Sequence, residues 1–406
     1  MGAVCYKQGV PSFEPFPGIR YDLDRSDPAL VTAPPYDVID ADQRAALAEL
    51  DPHNVVRIDL PQGGDDPYGA AAEAFARWQR DGVLVTDAPS FYVYRMDTVD
   101  EAGVTRHTTG VVGALELSRP GEGGILPHEH TTKKAKSDRL NLLRATSANL
   151  SAVWALSPAA GLTGLLETGE DPAASWTDGD GTVHSLWIVD DPDRTAKISA
   201  TVNGQPVVIA DGHHRYETSL AYRDERREAA GGATGGNADA VMTYVVELAE
   251  EQLTVLPIHR LISGLPDDID LRGALFDFFV VTTTGPVDVG MARSMASQGF
   301  LVLVEPDRTS ILTPRPEAFE GLRDLDTVRL DAALASLPDH DLVFQHGVDN
   351  VVRAVERGDA QAGVLLRPAT VKQITAIARG GERMPPKTTF FHPKPRTGVV
   401  FRSLSD

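Results

Sequence analysis

The chain has 406 residues, 42% of them hydrophobic and 24% charged; this suits a soluble globular protein but exceeds one ordinary core, so two or three domains are expected. A formal net charge of −20 argues against a domain that wraps nucleic acid or sits on an anionic membrane surface. It does not exclude a phosphate ligand, because a local basic pocket can override the global field.

In chain order, MGAVCYKQGV lacks the apolar core of a secretory signal, and Cys5, the single cysteine, permits neither an internal disulfide nor a cysteine metal site. No apolar run is long enough to span a bilayer, so a cytoplasmic protein without a membrane partner is expected. Val31–Ile39 reads as an extended segment through Pro34-Pro35, and Val55–Leu60 as a strand ended by Pro61-Gln62-Gly63-Gly64. Ala71, Phe75 and Trp78 share one face of a helix over Tyr68–Arg80, stopped by Asp81-Gly82. Phe91–Val99 and Thr105–Leu117 form a hairpin around Glu101-Ala102-Gly103, completing an α+β domain over residues 1–120.

The next region, 121–265, opens with a helix from Thr131 or Ser137 to about Ser147, followed by strands at Val153–Leu156 and His184–Val189. Asn203-Gly204 suggests a hairpin over Ala196–Ala210, and a helix then runs from His213 to about Ala230 before the glycine-rich Gly231–Asn237 and a strand at Val241–Leu248. Region 266–406 carries helices at Leu271–Phe279, Val348–Arg357 and Val371–Arg379, with strands at Phe300–Val304, Ser310–Leu312 and Gly363–Leu366. The fold class is α/β, mixed α+β, in a multi-domain body; nothing in the pattern sets an oligomeric state.

The chemistry concentrates in VVIADGHHRYETSLAYR, Val207–Arg223. An apolar strand meets a turn at Asp211-Gly212, where glycine accepts positive φ, and a helix begins at His213 or His214. Helix N-termini bind anions, so Gly212, His213, His214 and Arg215 suit a phosphate cradle, with Asp211 placed to hold a metal or a proton. The plainer alternative makes Asp211 an N-cap, His213 and His214 surface residues, and Arg215 a partner of Glu225 or another carboxylate.

Other groups could serve the same site. His128-Glu129-His130, followed by Lys133, Lys134, Lys136 and Arg139, reads equally as a base or metal ligand beside phosphate-binding cations and as a solvated helix start. Leu256-Pro257-Ile258-His259-Arg260 sets a His-Arg pair after an apolar segment, and Lys387, Thr388, Thr389, His392, Lys394 and Arg396 form a basic, hydroxyl-rich stretch suited to phosphate oxygens. There is no His-Glu-x-x-His, no phosphate-binding Gly-x-x-x-x-Gly-Lys-Ser/Thr, no Gly-x-Gly-x-x-Gly after a strand and no Gly-x-Ser-x-Gly, so phosphoryl chemistry would have to use the Asp-Gly-His-His-Arg turn.

VNGQPVVIADGHHRYETSLAYR resembles the central motif of the ParB/sulfiredoxin-like superfamily. The ordered series APPYDVI (Ala33–Ile39), LPHEHT (Leu126–Thr131), KSDRLNLL (Lys136–Leu143), ADGHHRYETSL (Ala210–Leu220), LPIHR (Leu256–Arg260) and MPPKTTFFHPK (Met384–Lys394) resembles a large bacterial family long labelled as a domain of unknown function. The resemblance implies a ParB/sulfiredoxin-like core element and kinship with free-serine kinases that use ATP or ADP. For the longer family it implies phosphorylation of free L-serine with pyrophosphate. It also makes Glu129 an active-site residue.

In that reading Glu129, Asp211 and His213 are catalytic, with the base left open between Glu129 and Asp211. Gly212, His214, Arg215, Lys136, Arg139 and Lys387 bind phosphate, and His259 and Arg260 bind substrate. Asp211 would hold Mg²⁺. The ligands are serine and pyrophosphate or a nucleotide, with no nucleic acid. The alternatives are a nucleotide-binding ParB-like switch and a metal-dependent phosphohydrolase.

Overall fold

The computed structural model describes residues 11–99, 104–119, 122, 124–127, 133–266, 268–288, 290–379, 384–385 and 387–405. The chain is a mixed α/β protein of two compact units, one formed by Met1–Thr254 with Pro393–Asp406, the other by Val255–His392. This division differs from the expected regions 1–120, 121–265 and 266–406. Strand Thr105–Glu116 pairs with Ala240–Glu247 in one sheet, and Phe401–Ser403 returns to pair with Phe16–Tyr21.

The first unit is built on a mixed sheet. Its main path runs Ile125–Pro127, Val207–Asp211, Val153–Ser157, Ala240–Glu247, Thr105–Glu116, Leu84–Val99, Phe16–Tyr21, Phe401–Ser403 and Ala148–Asn149. The long strand Leu84–Val99 serves two neighbourhoods: its first half pairs with Phe16–Tyr21, its second with Thr105–Glu116 and Val183–Val189. The hairpin with Thr105–Glu116 is as expected; its turn at 101–103 lies outside the described residues. One core joins Phe13, Phe91, Val93, Val111 and Ile209, with the Phe13 and Phe91 rings stacked at 5.1 Å. A second joins Ile19, Ile58, Phe75, Trp78, Leu142 and Phe401. Each such buried side chain contributes about 1.5–3 kcal/mol.

Helix Pro67–Arg80 follows its sequence signals closely. Asp66 caps it through Gly69 N at 2.9 Å, Pro67 begins it, and Ala71, Phe75 and Trp78 are buried. Two expected strands are helical instead. Val55–Leu60 becomes the short helix Val56–Asp59, because Asn54 accepts from Val56 N at 3.0 Å and donates to Leu30 O at 2.6 Å, bending the chain as it enters. Ala196–Ala210 is no hairpin: Pro192–Asn203 is a helix, capped by Asp191 and burying Thr195, Ile198, Ser199 and Val202, and Gly204 is its C-cap. Asn203 instead accepts from Phe13 N at 2.6 Å. The Asp191-Pro192 start signal outweighed Asn-Gly.

The second unit carries a six-stranded antiparallel sheet in the order Phe279–Thr284, Arg308–Pro314, Leu301–Glu305, Ala362–Leu365, His259–Ser263, Asp341–Gln345. Both faces are covered. Leu301 and Leu303 enter a core with Leu330 and Leu334 of helix Asp326–Leu334, while Val302 and Val304 enter another with Met295 and Val351. Alternation along one strand thus feeds two layers. The expected helix Leu271–Phe279 ends at Leu275, and Phe279 starts a strand.

Candidate active site

Strand Val207–Asp211 is buried through Val207, Val208, Ile209 and Ala210, and lies parallel to Ile125–Pro127 and antiparallel to Val153–Ser157. Its pairing with the latter shifts register between Ile209 and Asp211, at the end where the turn begins. Gly212 then adopts φ +88°, and a Cβ there would lie 2.9 Å from Arg215 Nε, so only glycine fits. Helix His213–Ala229 follows, with no side chain capping its N-terminus. Tyr216 fastens it by donating to Ser118 O at 2.8 Å and accepting from Ser118 N at 3.0 Å.

Asp211 is therefore the last residue of the strand and no N-cap. Its Oδ2 accepts from Arg215 Nη2 at 2.7 Å, and its Oδ1 lies 3.1 Å from Lys394 Nζ. Arg215 Nη1 donates to Ala152 O, and Arg215 Nε has no hydrogen-bond partner among the described residues. Lys394 also meets Asp37 Oδ2 at 2.9 Å. Arg139 extends the network: Nη1 pairs with Asp59 Oδ1 at 3.0 Å, Nη2 with Asp138 Oδ2 at 2.7 Å, and the guanidinium lies over the Tyr36 ring at 4.4 Å. Tyr68 donates to Asp138 Oδ1 at 2.8 Å.

Beside this network lies a small pocket, open to solvent and lined by Asp59, Arg139, Asn149, Ser151, Arg215 and Ser219 among others. Burial would raise the Asp211 carboxyl, but Lys394 and then Arg215 outweigh it and hold the group well below the usual carboxylate range. At Asp59 burial prevails over Arg139 and Arg215, and its carboxyl is pushed up. Lys394 is held protonated: burial lowers it, and Asp211 and Asp37 together raise it above the ordinary lysine value. Asp211 thus suits aiming two cations rather than accepting a proton.

The described residues contain no group of three or more His, Cys, Asp or Glu arranged to hold a metal. Mg²⁺, however, is commonly held by one or two carboxylates together with substrate phosphates. Asp37 and Asp211 do face one point, but the Lys394 ammonium fills it, so as placed they fit an ammonium rather than a Mg²⁺ ion.

Within the first unit the fold brings together Asp211, Gly212, His213, Arg215 and Arg139, with His214 in the first turn of the same helix. Glu129 lies outside the described residues, as does the side chain of Lys136 in helix Lys133–Thr146. His259, Arg260 and Lys387 belong to the second unit. There His259 Nδ1 accepts from Leu366 N at 3.1 Å, and burial, then His346 and Arg260, push its imidazole down to about 4. Arg260 is buried, donating to Ile258 O at 2.6 Å and Lys387 O at 3.1 Å, with its guanidinium 4.5 Å from the centre of the Phe344 ring. Sequence reasoning gave no site role to Asp37 or Asp59, and it placed Lys394 only within a basic stretch suited to phosphate oxygens. Asp59 had one signal, a lone acid closing the apolar run Val55–Leu60.

Among solved structures, a conserved hypothetical protein from Pyrococcus furiosus is 13% identical, covering 68% of this chain and 90% of that one, with a TM-score of 0.35. A free serine kinase in complex with AMP is 12% identical, covering 68% and 88%, with a TM-score of 0.37. SbnI with a C-terminal truncation, from Staphylococcus aureus, is 11% identical, covering 70% and 85%, with a TM-score of 0.39. No curated protein matches the chain. The family described as "protein of unknown function (DUF1015)" matches residues 13–332, and the chain belongs to it.

Proposed function

We propose that this DUF1015-family chain is a small-molecule kinase that phosphorylates free L-serine to O-phospho-L-serine, with pyrophosphate as donor. The observation that carries the reading is the meeting of Arg215, Lys394 and Arg139 with Asp37, Asp59 and Asp211 beside a small open pocket. Phosphoryl transfer asks mainly for positioning and charge neutralisation, and this set supplies both. The acceptor and donor come from the motif resemblance.

In this reading Arg215, Lys394 and the N-terminal amides of helix His213–Ala229 grip the donor phosphates, with His213 and His214 beside them. The serine hydroxyl oxygen attacks the terminal phosphorus, the bond to the bridging oxygen breaks, and orthophosphate leaves. Asp59 or Glu129 takes the hydroxyl proton. Asp211 orients Arg215 and Lys394, and Mg²⁺ would be held mainly by the donor phosphates, offsetting their charge.

The test incubates pyrophosphate, ATP and ADP separately with L-serine and Mg²⁺ and measures phosphoserine by mass spectrometry. Phosphoserine is expected with pyrophosphate. None with any donor overturns the reading, and phosphate release that ignores serine would favour a phosphohydrolase.

A further inference from the structure

Two residues beyond Lys394, Arg396, the last cation of the basic stretch read as suited to phosphate, enters a second ionic cluster of its own. Its Nη1 donates to Asp178 Oδ2 at 3.0 Å, its Nε to Thr32 Oγ1 at 3.0 Å and its Nη2 to Thr32 O at 3.1 Å. Both side chains of the ion pair are more than nine-tenths buried, at 8% and 7% exposure. Asp178 is itself held from several directions. Its Oδ1 accepts from Asp180 N and Thr182 N, both at 3.0 Å, and its Oδ2 from His184 Nε2 at 3.0 Å. The His184 ring reaches Tyr94 Oη through Nδ1 at 2.7 Å and stacks on Tyr94 and Trp176. Such a network is far stiffer than a surface ion pair.

What this cluster holds is the segment bearing Lys394. Thr397 N donates to Ala33 O at 2.8 Å and Ala33 N to Thr397 O at 3.1 Å, an antiparallel bridge that joins the segment after Thr32 to the one after Lys394. Arg396 and Thr32 tie one end of this pair of segments; Lys394 and Asp37 meet at the other. Gly398, at φ +92°, lets the chain pass Val55, whose Cβ a side chain there would meet at 3.1 Å.

We propose that Asp178 and Arg396 are a positioning couple: they fix the backbone on both sides of the site so that the Lys394 ammonium stands between Asp37 and Asp211. Neither residue lines the pocket. A free lysine side chain gives up about 1.5–2 kcal/mol of rotamer freedom when fixed, so placing its backbone in advance limits the further ordering cost. Arginine is required at 396 because one guanidinium must serve a carboxylate and two threonine oxygens at once, which an ammonium cannot reproduce.

The test uses the full chain and reads the acylation rate of Lys394 by peptide mass spectrometry, with exposed Lys197 as internal standard. Donor kinetics are measured on the same preparation, and melting temperature confirms folding. In Arg396→Lys, Lys394 labelling is expected to rise severalfold relative to Lys197. The kcat/KM for the donor is expected to fall roughly tenfold or more, partly through a raised donor KM because Lys394 grips the donor phosphates, while the serine KM stays nearly constant.

Should Arg396→Lys not fold, Tyr94→Phe removes only the hydroxyl that meets His184 and Arg396 N, and the same labelling shift is expected on a smaller scale. Unchanged Lys394 labelling in a folded variant overturns the proposal. The kinetic part rests on the kinase reading; the labelling does not. If labelling responds while wild-type protein makes no phosphoserine, the couple stands and the reaction assignment falls.

Discussion

Arg215 and Arg260 each follow a histidine in a motif that joins an apolar segment to a new element, yet the fold uses them in opposite ways. Arg215 shares one fork between Asp211 and a single carbonyl, keeps Nε without a partner among the described residues, and borders an open pocket. Arg260 is shut away, with donors on two carbonyls and its face on Phe344. A carboxylate at the end of the preceding strand and an adjoining pocket set Arg215 apart from a guanidinium whose donors are spent on backbone carbonyls.

The comparison is tested hardest at Asp211. Asp211→Asn keeps the shape of the turn but takes the charge from between Arg215 and Lys394, and turnover is expected to fall about a hundredfold or more, the scale of removing a charged group from a reacting centre. Steady-state kinetics on a protein with unchanged circular dichroism check it; near-normal turnover would reduce Asp211 to a structural role.

Arg215→Lys is the next largest, about tenfold to a hundredfold in kcat/KM for the donor, because the two-pronged contact is lost while the charge remains. A variant that melts lower but keeps wild-type kinetics would place Arg215 with Arg260.

For Arg260 the expectation is reversed. Arg260→Met leaves Ile258 O and Lys387 O without their donor, a loss of about 1–3 kcal/mol for each unsatisfied buried group. Calorimetry should show a lower melting temperature, with the folded fraction keeping the wild-type serine KM. A raised KM would return Arg260 to the substrate.

The smallest effect is a pH slope. His259 titrates at about 4 in the folded protein and near 6.5 once unfolded, so the unfolded chain binds the proton more tightly. Its contribution to stability is complete above about pH 6.5 and declines as pH falls toward 4. His259→Gln, which keeps an acceptor for Leu366 N, should flatten the melting-temperature profile across that window. An unaltered slope would mean that other groups govern it.

What the sequence revealed follows the range of the interactions involved. Helix Val371–Arg379 matches its expected bounds because its apolar spacing is local, and the Asp211-Gly212 turn into a helix at His213 was legible for the same reason, although the Asp211–Arg215 ion pair was not foreseen. The helices Val56–Asp59 and Pro192–Asn203 were misread because short apolar runs and Asn-Gly fit two structures equally well until caps decide. Lys394 and Asp37 stand 357 residues apart in sequence, and Arg139 and Asp59 stand 80 apart. No periodicity encodes such meetings, so the site's anion-facing turn was readable and its other half was not.

The first unit is interrupted in sequence by the whole of the second, and Lys394 belongs to the returning stretch. On the ribosome, Asp37 and Asp211 are therefore made long before the cation that separates them, with 138 residues of another unit, Val255–His392, translated in between. The nascent first unit passes that interval without the cation shared by Asp37 and Asp211, so this part of the site can close only after the second unit has been made.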